Sequence, residues 1–370
     1  MNFSFKKIFY FFIKIILIGL FLSPLMDSAF GLNEKFELYS PPEVLAQGGA
    51  MTAEAYGYLA NYYNPAGLAK GTKKKVELNI IDVEGVLSPL TAAHIWTSQS
   101  FGFYKMLNSI KSAPNFYHYF NFATVPSISF RGFSFSFLAS HRFAALSNGT
   151  NVDVDGGFDV GPTIGTALHF YGKRLKIGVS AKAILRNQLQ GVFAHTAFTD
   201  DDSVSRNMKT GLGLGGDIGI MYTLPYRFLP TFAFVWQNVV QTQFISCNIL
   251  NPLSTAGLPA PIPQSFHFGF SFKPSLGKGV QATISLDVRE LQNVTMPLYQ
   301  HFHIGTQLNI SKSTFLWLGL NTIDLLKFSA GIAYRAPGGN LELGTSGHEI
   351  GTAAVPDTSR RIFFRYTVGF

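Results

Sequence analysis

Apolar and polar residues alternate along most of this chain with a period of two. Phe266, Phe268, Phe270 and Phe272 interleave with Ser265, His267, Gly269 and Ser271. Val280, Ala282, Ile284, Leu286 and Val288 interleave with Gln281, Thr283, Ser285, Asp287 and Arg289. In the last run, Ile362, Phe364, Tyr366, Val368 and Phe370 share one face. Arg361, Arg365, Thr367 and Gly369 share the other, with Phe363 as the exception. Such a period puts alternate side chains on opposite faces of a β-strand. The pattern predicts about fourteen strands, over 74–86, 125–132, 133–147, 158–171, 174–193, 210–224, 229–243, 263–274, 279–290, 298–310, 313–320, 326–336, 339–347 and 360–370.

The joints between these strands differ by parity. Every second joint is tight and built from turn residues, as at Arg131-Gly132, Tyr171-Gly172-Lys173 and Pro337-Gly338-Gly339. The others are mostly longer: 87–124, 148–157, 194–209, 244–262 and 348–359. An up-and-down transmembrane barrel has short periplasmic turns and long external loops. A soluble sandwich has no reason to segregate its loops this way. The expected fold is all-β, a transmembrane antiparallel β-barrel. Its apolar face meets lipid and its polar face lines the lumen. Closure is required because hydrocarbon cannot satisfy an open sheet edge.

Composition agrees. The chain is 47% hydrophobic and only 14% charged, below the quarter or so of a soluble domain. Yet past residue 31 no run approaches the roughly 18 apolar residues of a membrane helix. At the start, Lys6, Lys7 and Lys14 flank or interrupt an apolar run through Leu22. Pro24 and Ala29-Phe30-Gly31 follow. Residues 1–31 therefore read as a cleaved secretory signal peptide. Residues 32–73 lack alternation and hold Pro41-Pro42, Gly48-Gly49 and Asn64-Pro65-Ala66. They read as a compact insert ahead of a barrel at 74–370.

A net charge of +8 raises nucleic acid as a partner, but the basic residues are scattered singly apart from Lys73-Lys74-Lys75, and nucleic-acid binding is not expected. Lys176, Lys182, Arg186, Lys327, Arg335, Arg361 and Arg365 are expected to point inward, against Asp287, Glu342 and Asp217. Two readings stand: an electropositive lumen that attracts an anionic headgroup such as a carboxylate, or a ladder of ion pairs that holds the insert. His267, His301 and His303 are expected near Asp287 and Arg289. The adjacent guanidinium opposes a metal there, so hydrogen bonding is the expected role. Gly211 to Gly216 lacks the helix and lysine of a phosphate loop, and Gly213 and Gly215 are expected to make room for the insert or a bend. Asp200-Asp201-Asp202 is read as a solvated run. The aromatic segment 91–124 is expected to lie over the outer mouth as a packed loop or helix, or to form a landing surface for a hydrophobic ligand. No nucleophile, base and orienter occur together, so no enzyme, cofactor or metal site is expected.

Gln47-Gly48-Gly49-Ala50-Met51 and Tyr62-Tyr63-Asn64-Pro65-Ala66-Gly67-Leu68 resemble the N-terminal hatch of FadL-type outer-membrane transporters, a superfamily that includes hydrocarbon channels and PorV-like secretion-associated barrels. Glu349-Ile350-Gly351 with Arg360-Arg361 looks more like the PorV-like branch. The resemblance implies a hatch inside a fourteen-stranded barrel, held by the Asn-Pro-Ala turn. It implies passive passage of hydrophobic or amphipathic solutes such as long-chain fatty acids, with exit through the wall. The partners it implies are outer-membrane lipid, a hydrophobic small molecule, and the barrel-assembly machinery that reads the terminal Phe370. The PorV-like branch implies instead a scaffold that binds a secretion partner protein.

Overall fold

The computed structural model describes residues 37–70, 76–89, 91–92, 102–111, 114–239, 241–277, 279–294, 296–322, 327–350 and 358–369. The signal-peptide reading of 1–31, the lysine triplet and the terminal Phe370 lie outside the described residues.

The strands are β1 (Val76–Leu87), β2 (Tyr117–Thr124), β3 (Ser127–Phe130), β4 (Phe133–Ser147), β5 (Asn151–Phe170), β6 (Leu175–Ala194), β7 (Lys209–Thr223), β8 (Thr231–Gln237) and β9 (Phe244–Ile245). They continue with β10 (Ser265–Phe272), β11 (Ser275–Gly277), β12 (Val280–Val288), β13 (Phe302–Asn309), β14 (Thr314–Leu320), β15 (Phe328–Ala336), β16 (Gly339–Glu349) and β17 (Thr358–Gly369). Three staves come in two pieces. β2 and β3 both pair with β1 and β4. β8 and β9 both pair with β7, and β10 and β11 both pair with β12. The result is 14 antiparallel staves. The last closes on the first, from Asn79 opposite Gly369 to Leu87 opposite Ile362. Among the described residues the sheet thus closes on itself, as a barrel in hydrocarbon would require.

Alternation sorts the side chains as the pattern predicts. Ile164, Leu168, Phe232, Phe268 and Tyr366 are exposed on the outer face, while Ser271, Ser285, Asp287, Arg361 and Arg365 are buried. The phase changes once in β1. The β1–β17 register shifts between Asn79 and Ile81, so Ile80 and Ile81 both face outward. This bulge brings Asp82 and Glu84 inward, where both are buried.

Two expected loops are strands. Residues 117–124 pair with both β1 and β4, and 151–157 extend β5 in an unbroken ladder with β4. The joint expected at 148–157 is thereby reduced to the turn Asn148-Gly149-Thr150, held by Asn148 Oδ1, which accepts the N–H groups of Thr150 and Asn151. Conversely, 298–300 is a 3₁₀ turn and not strand.

Among the described residues of the aromatic outer segment, the helix does not cap the mouth. Helix α3 (Phe103–Ile110) buries Phe103, Met106, Leu107 and Ile110 against Phe120, Phe143, Val152, Val154 and Leu189. These wall residues alternate with inward Arg142, Asp155 and Arg186, so α3 lies on the outside of the wall. Helix α4 (Asp201–Asn207) contributes Val204 to the same cluster. Asp200 caps α4, accepting the Ser203 N–H at 2.7 Å while the Ser203 hydroxyl meets the Asp200 N–H. The carboxylate run is thus partly spent on starting a helix.

The segment 37–70 fills the lumen as a plug. It holds α1 (Pro42–Ala46), α2 (Ala60–Tyr63) and two 3₁₀ turns, Gly57–Leu59 and Pro65–Lys70. Its Val44, Met51, Leu59, Tyr62 and Leu68 form one buried cluster with Ala123, Val125, Leu138, Met221 and Ala233 of the wall.

Candidate functional site: the plug and its seam with the wall

The Asn64-Pro65-Ala66 turn is closed on itself and on the wall. Asn64 Oδ1 accepts the Ala66 N–H at 3.1 Å, and Asn64 Nδ2 donates to the Thr52 carbonyl at 3.0 Å. The wall meets this turn with glycine. A Cβ on Gly178 would overlap the Pro65 backbone, and one on Gly219 would overlap the Asn64 amide. Opposite, Gly319 of β14 lets the plug backbone at Gln47 and Gly48 lie directly on the wall. Gly48 and Gly49 have φ of 61° and 86°, the left-handed region where glycine carries no Cβ penalty. The Gly48 carbonyl accepts His303 Nδ1 at 2.7 Å.

Charged side chains fasten the rest. Asp287 Oδ2 accepts the N–H groups of Met51 and Thr52. Arg289 reaches Glu37 at 2.7 Å. Arg335 donates to Glu43 and to the Tyr56 hydroxyl, each at 3.1 Å. Arg365 bridges Asp82 at 2.7 Å and lies 3.6 Å from Glu84 and 3.8 Å from Glu342. It also donates to the Tyr58 hydroxyl of the plug. Tyr39, Tyr56, Tyr62 and Tyr63 line the seam, and burial pushes each hydroxyl above its ordinary value.

The other inward bases are also engaged. Lys182 pairs with Asp217 at 3.0 Å and Arg186 with Asp159 at 2.7 Å. Lys176 donates to Thr223. Arg361 lies 3.5 Å over the Tyr119 ring, and Lys327 is buried just before β15. The lumen is more evenly charged than the sequence reading of seven bases against three acids. That reading left out Asp82, Glu84, Asp155 and Asp159 of the wall and Glu37, Glu43 and Glu54 of the plug. The histidines are hydrogen-bonded within the seam. Arg289 donates to His267 Nδ1 at 3.3 Å, and His301 Nδ1 meets the Arg289 carbonyl at 2.7 Å. Among the described residues no group of three His, Cys, Asp or Glu is placed to hold a metal ion. Gly213 and Gly215 make room for Phe244 and Thr242 of the stave that carries β9, not for the plug.

Among the described residues, spaces adjoin the plug on both sides. Above it is a vestibule of about 70 Å³, bordered by Glu37, Arg142, Arg289 and Arg361. Below it are two cavities near the tight turns. One, of about 540 Å³, is bordered by Tyr58, Lys312, Asn340, Glu342 and Arg365. The other, of about 250 Å³, is bordered by Met51, Glu54, Lys70, Lys273, Gln281 and Gln307. Glu43, Tyr56, Phe315 and Arg335 border both and form the partition between them.

No protein-family model matches the chain, and no curated protein is similar to it. Solved structures share its fold. The monoaromatic hydrocarbon channel CymD superposes with a TM-score of 0.55 at 12% identity, over 89% of this chain and 97% of that one. A deltaS2 mutant of the monoaromatic hydrocarbon channel TodX gives 0.54 at 10%, over 89% and 98%. The Ralstonia pickettii toluene transporter TbuX gives 0.51 at 11%, over 90% and 98%. The resemblance carried by the Gly-Gly-Ala and Asn-Pro-Ala elements therefore holds at the level of the fold.

Proposed function

We propose that this protein is an outer-membrane channel for passive entry of hydrophobic or amphipathic solutes, long-chain fatty acids among them. The observation that carries this reading is the plug. It fills a barrel whose skin suits lipid, it is joined to the wall by a shared apolar cluster and by polar contacts around it, and two cavities already lie beneath it. The likeness in fold to channels for monoaromatic hydrocarbons supports the same class of cargo. In this reading residues 1–31 are removed on export, 32–73 are the hatch, and 74–370 are the barrel, delivered by the assembly machinery through Phe370. Of the inward bases expected from the sequence, Arg335 borders both lower cavities and Arg365 borders the larger one, within reach of a solute's polar head. The test is passage of alkyl aromatics and fatty acids into vesicles reconstituted with delipidated protein. Passage no faster than through empty vesicles would sink the reading.

One observation favours the scaffold alternative. The vestibule of about 70 Å³ is narrow and bordered by charge, which suits a plug that stays in place and an outer surface used for docking. Capture from gently solubilised outer membrane tests it, and a stoichiometric secretion partner is the expected result in that case.

A further inference from the structure

On the periplasmic side of the plug, two ammonium groups converge on one carboxylate. Lys273, at the foot of β10, lies 2.8 Å from Glu54 Oε2, and Lys70, at the end of the plug, lies 3.7 Å from it. Lys70 also donates to the Ala53 carbonyl at 2.8 Å, and Ser271 donates to Glu54 Oε1 at 2.5 Å. The charge of Lys176 acts on the same corner. The cluster therefore carries more positive charge than Glu54 cancels. It opens on the cavity of about 250 Å³, where Met51, Tyr56 and Phe315 supply apolar surface beside the charges. The lysine side chains keep 21% and 30% of their surface exposed, so a solute in the cavity reaches them without unfolding the wall.

A cationic corner next to an apolar recess fits one chemical class, an aliphatic carboxylate. We propose that Lys70 and Lys273 form a carboxylate-exchange site: the head of an amphipathic solute takes the place of Glu54, and its tail lies against Met51, Tyr56 and Phe315. Glu54 is the resident occupant. Its displacement frees the plug segment around Met51 to Ala55 from the floor, so ligand binding and plug release are one event. This inference rests on the channel reading and deepens it.

The electrostatics agree with an occupied anion site. Burial alone would raise the Glu54 carboxyl, but Lys70 and Lys273 more than offset that and bring it down to about 2. The same lysines attract any carboxylate of comparable reach.

The test is calorimetric titration of the full-length protein in detergent with octanoate, set against acetate and octanol, with empty micelles as the blank. Hydrogen exchange of residues 51–55 is followed in parallel. Octanoate is expected to bind and to speed exchange there, acetate to bind at least tenfold more weakly, and octanol to do neither. Lys273→Gln, at the half-buried foot of β10, is expected to weaken octanoate at least tenfold. Glu54→Gln removes the competitor and is expected to strengthen it severalfold. Heat-modifiable migration confirms that each variant is folded; if Glu54→Gln is not, Lys273→Gln alone decides. No binding by the wild type, equal binding of octanol, or unchanged affinity in Lys273→Gln overturns the proposal. If hydrocarbon still passes into vesicles while octanoate does not bind, only the exchange site falls. If nothing passes, the channel reading falls as well.

Discussion

Asp287 of β12 holds the plug by two backbone hydrogen bonds to one oxygen, 2.7 Å from the Thr52 N–H and 2.8 Å from the Met51 N–H. Hydrogen bonds to a charged acceptor contribute about 1.5–3 kcal/mol each. Asp287→Ala is therefore expected to loosen the plug at this point and to raise hydrogen exchange at residues 51 and 52 by at least tenfold. Exchange at the strand ladders should be unchanged. Equal exchange in variant and wild type would mean that the plug is held elsewhere.

The glycines of β6 and β7 make a second prediction. Gly178→Val places a side chain where the Pro65 backbone now lies, and overpacking of this kind costs about 1–3 kcal/mol. The Asn64-Pro65-Ala66 turn should lift, seen as faster proteolysis within 60–70 in detergent. Gly338→Ala, where nothing lies within 4 Å of the added carbon, is the control and should behave as the wild type.

Arg365 is surrounded by Asp82, Glu84 and Glu342. Breaking a buried pair by deleting one partner costs about 3–5 kcal/mol, because the other charge is stranded. Arg365→Ala should lower the unfolding midpoint in denaturant strongly. Adding Asp82→Asn should restore part of the loss. A double variant whose loss equals or exceeds the sum of the two single losses would show that the charges are not coupled in this way.

Acid should release the plug before it opens the barrel. The Glu54 carboxyl is lowered from an ordinary 4.5 to about 2. A depressed carboxylate contributes stability that is complete above its unfolded value and is lost as pH falls through its folded one. Hydrogen exchange near Glu54 should therefore rise between about pH 4.5 and 2, and this rise should vanish in Glu54→Gln. At the other end, burial lowers Lys70 to about 8, despite the opposing pull of Glu54. Its positive charge is complete below that value and lost above it, so octanoate affinity should be level at neutral pH and fall as pH rises through 8. An affinity that is flat to pH 10 would exclude Lys70 from the site.

Helix α3 supplies a further prediction. Leu107 is 2% exposed against the outer wall, and burying a leucine contributes about 1.5–3 kcal/mol. Leu107→Asp should detach the helix and expose Phe103 and Ile110 to proteases in intact cells, with the ladders below unaffected.

Strand identity was legible because one face of each stave is apolar and exposed while the other is packed inward and mostly polar, which leaves a period of two. The stave count survived for the same reason. What alternation cannot report is a change of phase. Glu77 and Asn79 set a rhythm in β1 that would send Asp82 and Glu84 outward, and the bulge at Ile80 reverses it. Residues 151–157 hid because Gly156-Gly157 and the aspartates Asp153 and Asp155 read as turn chemistry, whereas pairing along both sides of β5 overrides that propensity. Segment 117–124 hid because its outward phenylalanines are covered by α3 and its inward tyrosines line the lumen, which erases the contrast between faces. The hatch was legible from Gly48-Gly49 and Asn64-Pro65-Ala66, whose backbone demands are local. The floor cluster was not, since Glu54 and Lys70 belong to the plug and Lys273 to a distant turn, and only the closed lumen brings them together.

The pairing of β1 with β17 also sets a timetable. The earliest stave to be made has one of its two neighbours, β17, among the latest, so β1 stands without that partner until β17 exists. A product cut short before Thr358 would leave β1 and β16 each with an unpaired edge, an open sheet in place of a cylinder.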